Sequence, residues 1–169
     1  MTTTAKLYSL ELRNSRTYLF AGLFIIGNLL LPQLAHLMPQ GGLILLPIYF
    51  FTLIAAYKYG IFVGLLTAVL SPLTNSLLFG MPEMSVLPAI IVKSVILVIA
   101  ASQAAKHFGK VSILGILIAI LAYQFVGTGF EWAITQNFNM AIQDFRIGLP
   151  GMIFQLIGGF LVLKSLEKA

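Results

Sequence analysis

The stretch AIIVKSVILVIAA, residues 89–101, carries one charged side chain, Lys93, in a run otherwise suited to hydrocarbon. Its surroundings decide how to read it. Of 169 residues, 59% are hydrophobic and 9% are charged, whereas an ordinary soluble domain carries roughly 25% charged residues. Apolar runs follow one another with short breaks. That is the pattern of a polytopic membrane protein, not of a chain wrapped around one soluble core.

Working outward from residues 89–101, hydropathy predicts an all-α membrane protein of six transmembrane helices. They lie at about 17–36, 42–57, 59–79, 86–105, 111–134 and 149–163, in a single domain covering 1–169. Pro39 to Gly42, Gly80 to Pro82 and His107 to Lys110 punctuate the breaks. Residues 57–59 are expected to turn very tightly. The second and sixth spans are short and require a thinned bilayer or protein cover at their ends. The first run follows basic residues, as a signal peptide would. It is too long for that, and Pro32, Gln33 and His36 end it without an A-x-A site, so it reads as a retained helix.

Charge then gives direction. With six spans, Lys6, Arg13, Arg16, Lys58, Lys106, Lys110, Lys164 and Lys168 share one side, and Arg146 alone takes the other. The positive-inside rule places both termini in the cytoplasm. The net charge of +5 is scattered singly at the ends of apolar runs, which argues against nucleic acid as a partner. The absence of cysteine excludes disulfides and thiolate metal sites.

Polar side chains collect toward the outer half. Lys93 lies about 10 Å into the fourth span at 1.5 Å per residue, and Glu131 nears the outer surface on the fifth. Asn28, Gln33 and His36 lie toward the outer end of the first span. Thr67, Ser71, Thr74 and Asn75 share one face of the third, which Pro72 interrupts. Gln124, Thr128, Glu131 and Thr135 recur along the fifth, and Gln136, Asn137 and Asn139 follow it. Polar groups in hydrocarbon cost free energy unless they find partners or water; an insertion scale puts a central lysine at about 2.5–3.5 kcal/mol. The gradient predicts an outward-opening polar cavity between spans one, three, four and five. Three readings of Lys93 stand side by side: a ligand-facing charge, an ion pair with Glu131 that joins two helices, or a side chain that snorkels outward. The third-span stripe equally serves packing between helices. His36 has no second ligand at metal spacing, so no metal site is expected.

Small residues mark close-packing faces: Gly60, Gly64 and Ala68 on the third span, Ala100 and Ala104 on the fourth. There is no G-x-x-x-x-G-K-[ST], no H-E-x-x-H and no G-x-S-x-G. The two halves show no repeat, which weighs against a stand-alone alternating-access carrier. An enzyme is not expected.

Residues 39–83, PQGGLILLPIYFFTLIAAYKYGIFVGLLTAVLSPLTNSLLFGMPE, resemble the substrate-binding S components of energy-coupling factor (ECF) vitamin transporters. Leu70-Ser71-Pro72 through Ser76 to Gly80-Met81-Pro82 carries most of the likeness, with Gly41, Gly42, Leu46 and Pro47 at the entry to the second span. The resemblance implies a subunit of a prokaryotic cytoplasmic membrane that captures a vitamin or precursor at the outer face. It implies docking on a transmembrane scaffold subunit with two cytosolic ATPases, so that ATP is used by those partners and this chain needs no cofactor. On that reading Lys93 binds an anionic group and Glu131 orients it. Asn75, Ser71, Gln124 and His36 supply hydrogen bonds, and Trp132, Tyr49 and Phe130 stack on a ring. The loop between the first two spans serves as a lid. Alpha-ribazole and pantothenate are candidate ligands. The family's Ala-x-x-x-Ala on the first helix is missing. Either Ala21, Gly22 and Gly27 replace it, or Gly60, Gly64, Ala100 and Ala104 dock the scaffold. A structural or assembly subunit without a ligand is the competing reading.

Overall fold

The computed structural model describes residue 7 and residues 9–167; Lys6 and Lys168 of the charge count lie outside them. The described residues fold as helices α1 (Ser15–Ala35), α2 (Gly41–Leu45), α3 (Phe50–Tyr59), α4 (Ile61–Phe79), α5 (Leu87–Phe108), α6 (Ile113–Thr135), α7 (Phe138–Ala141), α8 (Gln143–Arg146) and α9 (Leu149–Glu167), with no strand among them. Five of these, α1, α4, α5, α6 and α9, are long and apolar enough to cross a membrane. The outer face of α1 exposes Leu19, Leu23, Ile26, Leu30 and Leu34, each by more than half. Such a surface suits lipid, and the architecture is that of a multi-pass membrane protein.

The helix expected at 42–57 is not continuous. Leu46 takes a left-handed conformation (φ 47°), and Pro47 opens a 3-10 turn over Pro47–Tyr49 before α3 begins. Proline has no N–H to give to a continuing helix, so the backbone ladder stops there. A carbonyl freed in an apolar interior needs another donor. The Leu46 carbonyl keeps a local donor, Tyr49 N–H at 3.3 Å, and gains a second from the fully buried Gln155 of α9: Nε2 donates to it at 3.3 Å, while Oε1 accepts from the Tyr123 hydroxyl at 3.0 Å. Helix α3, ten residues long, is then too short for a bilayer, about 15 Å at 1.5 Å per residue. It is instead enclosed by its neighbours, with all its residues except Phe51 buried.

Gly60 alone separates α3 from α4. Its φ of 95° with ψ of −178° is a conformation open in practice to glycine only, which allows the reversal. The tight turn expected at 57–59 therefore sits at residue 60. The last span is also longer than expected, 19 residues against the 149–163 read from hydropathy.

Four of the residues singled out for docking belong to the chain's own structure. Gly60 makes the turn. An added Cβ at Gly64 would lie 2.8 Å from both Ala56 Cβ and Val98 Cγ1, where α3, α4 and α5 meet. Ala21 packs with Ala55, Tyr59 and Val63, and Ala104 joins the main core of Leu53, Ile54, Leu97 and Ile116. Ala100 is half-buried against that core, and Gly22 alone has open space around its α-carbon.

A second internal polar network ties α1, α3 and α4 together. Asn28 Nδ2 donates to Thr52 Oγ1 at 2.9 Å and to Ser71 Oγ at 3.2 Å, and Asn75 Nδ2 donates to the Asn28 carbonyl at 2.8 Å. All four side chains are buried.

Cationic residues gather at one end of the bundle. Lys58 Nζ donates to the Leu166 carbonyl at 2.8 Å, the Tyr57 hydroxyl donates to the Lys110 carbonyl at 3.0 Å, and Val111 N–H donates to Glu167 Oε1 at 3.1 Å. Leu10 N–H reaches the Tyr59 carbonyl, which brings the segment carrying Arg13 and Arg16 to the same end. This basic end lies opposite the end where α1, α4 and α6 finish. Replacing Gly64 by valine is expected to overpack the α3–α4–α5 junction and cost about 1–3 kcal/mol. A lowered melting temperature of the isolated chain in detergent checks it; an unchanged one would mean that Gly64 faces outward.

Candidate functional site

Lys93 lies in the second turn of α5 and is 3% exposed. Its stem runs against α6 at Gly127, where an added Cβ would collide with Lys93 Cγ. The missing side chain lets the lysine lie flat on α6 and reach Glu131, one turn further on. Lys93 Nζ donates to Glu131 Oε2 at 2.5 Å and to Asp144 Oδ2 at 2.7 Å. Both carboxylates are 14% exposed. A desolvated ammonium is tolerated where opposite charges and hydrogen bonds replace water, and this one has two.

Asp144 arrives by a route that hydropathy does not signal. Gln136, left-handed at φ 52°, ends α6. Asn137 Oδ1 accepts from Met140 N–H to start α7, and α8 follows immediately. The segment folds back on the bundle end, with Gly148 packed against Leu46. A lone aspartate between two apolar spans, on the same expected side as Lys93 and Glu131, was the available signal. Counting only cations there hid it.

Beside the triad lies a recess of about 140 Å³, walled by Leu43, Leu46, Tyr49, Ile90 and Met140. A wider cavity of about 790 Å³ adjoins it. The two share Gly42, Leu43, Ile48, Val86 and Ile90 as lining. The wider space is bounded by the end of α1 at His36, the loop at Met38 to Gln40, Asn75 of α4 and the segment Met81 to Glu83. Its size falls within the roughly 300–1,000 Å³ of small-molecule pockets. It sits at the end of the bundle opposite Lys58 and Lys110, the end that holds Lys93 and Arg146.

The residues expected to form a site divide into three groups. Lys93, Glu131 and Tyr49 line the recess, and His36 and Asn75 line the wider cavity. Asn75 Oδ1 also accepts from Gln33 at 3.4 Å. Ser71 is taken up by the internal network and Gln124 is wholly buried; neither lines either space. The Gln124 amide, with the Ser94 and Thr128 hydroxyls, has no hydrogen-bond partner among the described residues. Trp132 and Phe130 are 51% and 37% exposed and line neither space. Trp132 meets Phe138 edge-on, with ring centres 5.5 Å apart. Among the described residues, no group of three His, Cys, Asp or Glu is placed to hold a metal ion.

The loop expected to act as a lid, Met38 to Gly42, does border the wider cavity. The ammonium that the sequence offers to an anion, however, is already held by two carboxylates. Lys93→Met would leave those carboxylates facing each other and is expected to destabilise the chain by about 3–5 kcal/mol. Asp144→Asn leaves a matched Lys93–Glu131 pair and should cost clearly less. Melting curves of the two variants in one detergent test this ranking; the reverse order would mean that Lys93 is not the centre of the triad.

Compared with known proteins, the chain matches no family model, no curated protein and no solved structure, so the geometry of the cavity is what bears on function.

Proposed function

We propose that this chain is the substrate-capturing subunit of an ECF-type vitamin transporter in a prokaryotic cytoplasmic membrane. The carrying observation is a cavity of small-molecule size at the end of the bundle opposite Lys58, Lys110 and the other clustered cations, with Lys93 and Arg146 the exceptions at the cavity end. By the positive-inside rule the cationic end faces the cytoplasm, so the cavity opens outward and both termini are cytoplasmic. The broken segment from Gly41 to Tyr59 serves as the second of six passes. Its ends run from the cavity lining to the basic end, and its neighbours cover the length it lacks.

The chain holds no nucleotide-binding P-loop. Energy for uptake therefore comes from partners, a transmembrane scaffold and two cytosolic ATPases. Gly22, with open space at its α-carbon beside the exposed leucines of α1, is the docking residue that stays available. The captured molecule is a vitamin or vitamin precursor. Met38 to Gly42 closes over it.

A second reading, a structural subunit without a ligand, is favoured by one observation. The buried polar groups of α1, α3 and α4 largely satisfy one another, as packing alone would require. Native mass spectrometry of the detergent-purified chain separates the two. The receptor reading expects a mass adduct of one small molecule per chain, lost on extended dialysis. A chain that is bare from every preparation, and stays bare after exposure to growth-medium extract, supports the structural subunit.

A further inference from the structure

We infer that the recess beside Lys93 selects a cationic group, so that the ligand is a small organic cation with an apolar body rather than the anion that a lone lysine invites. This rests on the cavity being a small-molecule site, as proposed above.

Charge balance comes first. One ammonium faces two carboxylates, so the triad carries a formal charge of −1. Glu83 borders the wider cavity. Lys93 is the only Lys or Arg among the described residues lining either space, whereas three of the chain's five carboxylates do so. A chain of net charge +5 has thus placed most of its acids around one cavity. An anion entering here meets an excess of like charge and an ammonium that already donates to two carboxylates.

Acceptor capacity comes second. Lys93 engages Oε2 of Glu131 and Oδ2 of Asp144. The other oxygen of each carboxylate accepts no hydrogen bond from a described residue. They are left for donors on a ligand.

Tyr49 is the third and independent observation. It is 3% exposed and lines the recess, yet its hydroxyl makes no hydrogen bond to any described residue. Its ring is fixed against Tyr123, with centres 4.8 Å apart. A tyrosine ring and hydroxyl in a wall shared with two carboxylates suit a cation better than an anion. The recess, about 140 Å³, matches one ring; an apolar cavity of roughly 150 Å³ holds benzene. Larger apolar parts of the ligand extend past Ile48 and Ile90 into the wider cavity.

Benzamidinium, benzamide and benzoate form a matched series of one ring carrying a positive, neutral or negative group. Ligand-observed NMR on the full chain in detergent should show benzamidinium binding at least tenfold more tightly than benzoate, with benzamide between them. Asp144→Asn should reduce that preference at least fivefold. Glu83→Gln, an exposed rim change that leaves the fold intact, should reduce it about twofold. Benzoate binding as well as benzamidinium, or binding of none of the three, overturns the inference. So does a preference unchanged in both variants, since the cation would then sit elsewhere. An adduct in native mass spectrometry that is a carboxylate or phosphate without a cationic nitrogen also overturns it and leaves the receptor reading standing. Absence of any adduct sinks the receptor reading, while the charge preference is still read from the series.

Discussion

A single desolvated ammonium organises the cavity end of this protein. Lys93 sits on a helix whose neighbours are apolar, and a charge there is costly unless it is paired. Glu131 from α6 and Asp144 from α8 answer it. Because the two carboxylates come from different segments, satisfying one lysine also fixes the α5–α6 contact and pins the 136–148 segment to the bundle. Gly127 is the steric condition for this arrangement, since any side chain there meets the lysine stem. The same ion cluster that holds the fold leaves one negative charge in excess and two carboxylate oxygens unused. Structural need and capacity for a ligand thus reside in one group of atoms.

A helix that stops early makes the space beside that cluster. The left-handed Leu46 and Pro47 turn the chain, and Leu46, Ile48 and Tyr49 become walls of the recess. At the break the Leu46 carbonyl accepts from Tyr49 N–H and also from Gln155, itself anchored by Tyr123. Broken helices in membrane proteins persist where protein groups replace the lost ladder bonds, and they commonly border cavities. Here one donor is local, Tyr49 N–H, and the second comes from α9, distant in sequence from the break.

The two ends of the bundle differ in charge as well as in shape. At one end, loops and helix termini carry Lys58, Lys106, Lys110 and Lys164, and their region is tied together by backbone and side-chain hydrogen bonds. At the other, three carboxylates border a cavity. The proposed direction in the membrane and the proposed preference for a cation both rest on this difference in charge. The sequence reading placed Glu131 beside Lys93 but not Asp144, the second carboxylate that the loop brings to it.

What the sequence by itself determined is what depends on neighbours along the chain. Apolar runs of fixed length gave the long helices. Glycine and proline gave the breaks, and single cations at run ends gave the polarity. The Lys93–Glu131 pairing was legible too, because antiparallel spans joined by a short loop put both residues at similar depth. Three features were decided only by the tertiary structure. Asp144 reaches Lys93 through the fold of a loop, Gln155 reaches the carbonyl of Leu46 across the bundle, and Gly64 faces inward rather than toward a partner. Trp132 and Gln124 show the same limit, since helical spacing tells which residues share a face but not which face meets the cavity. Burial, charge balance and hydrogen-bond satisfaction are set by groups far apart in sequence, so they exist only once the helices have packed.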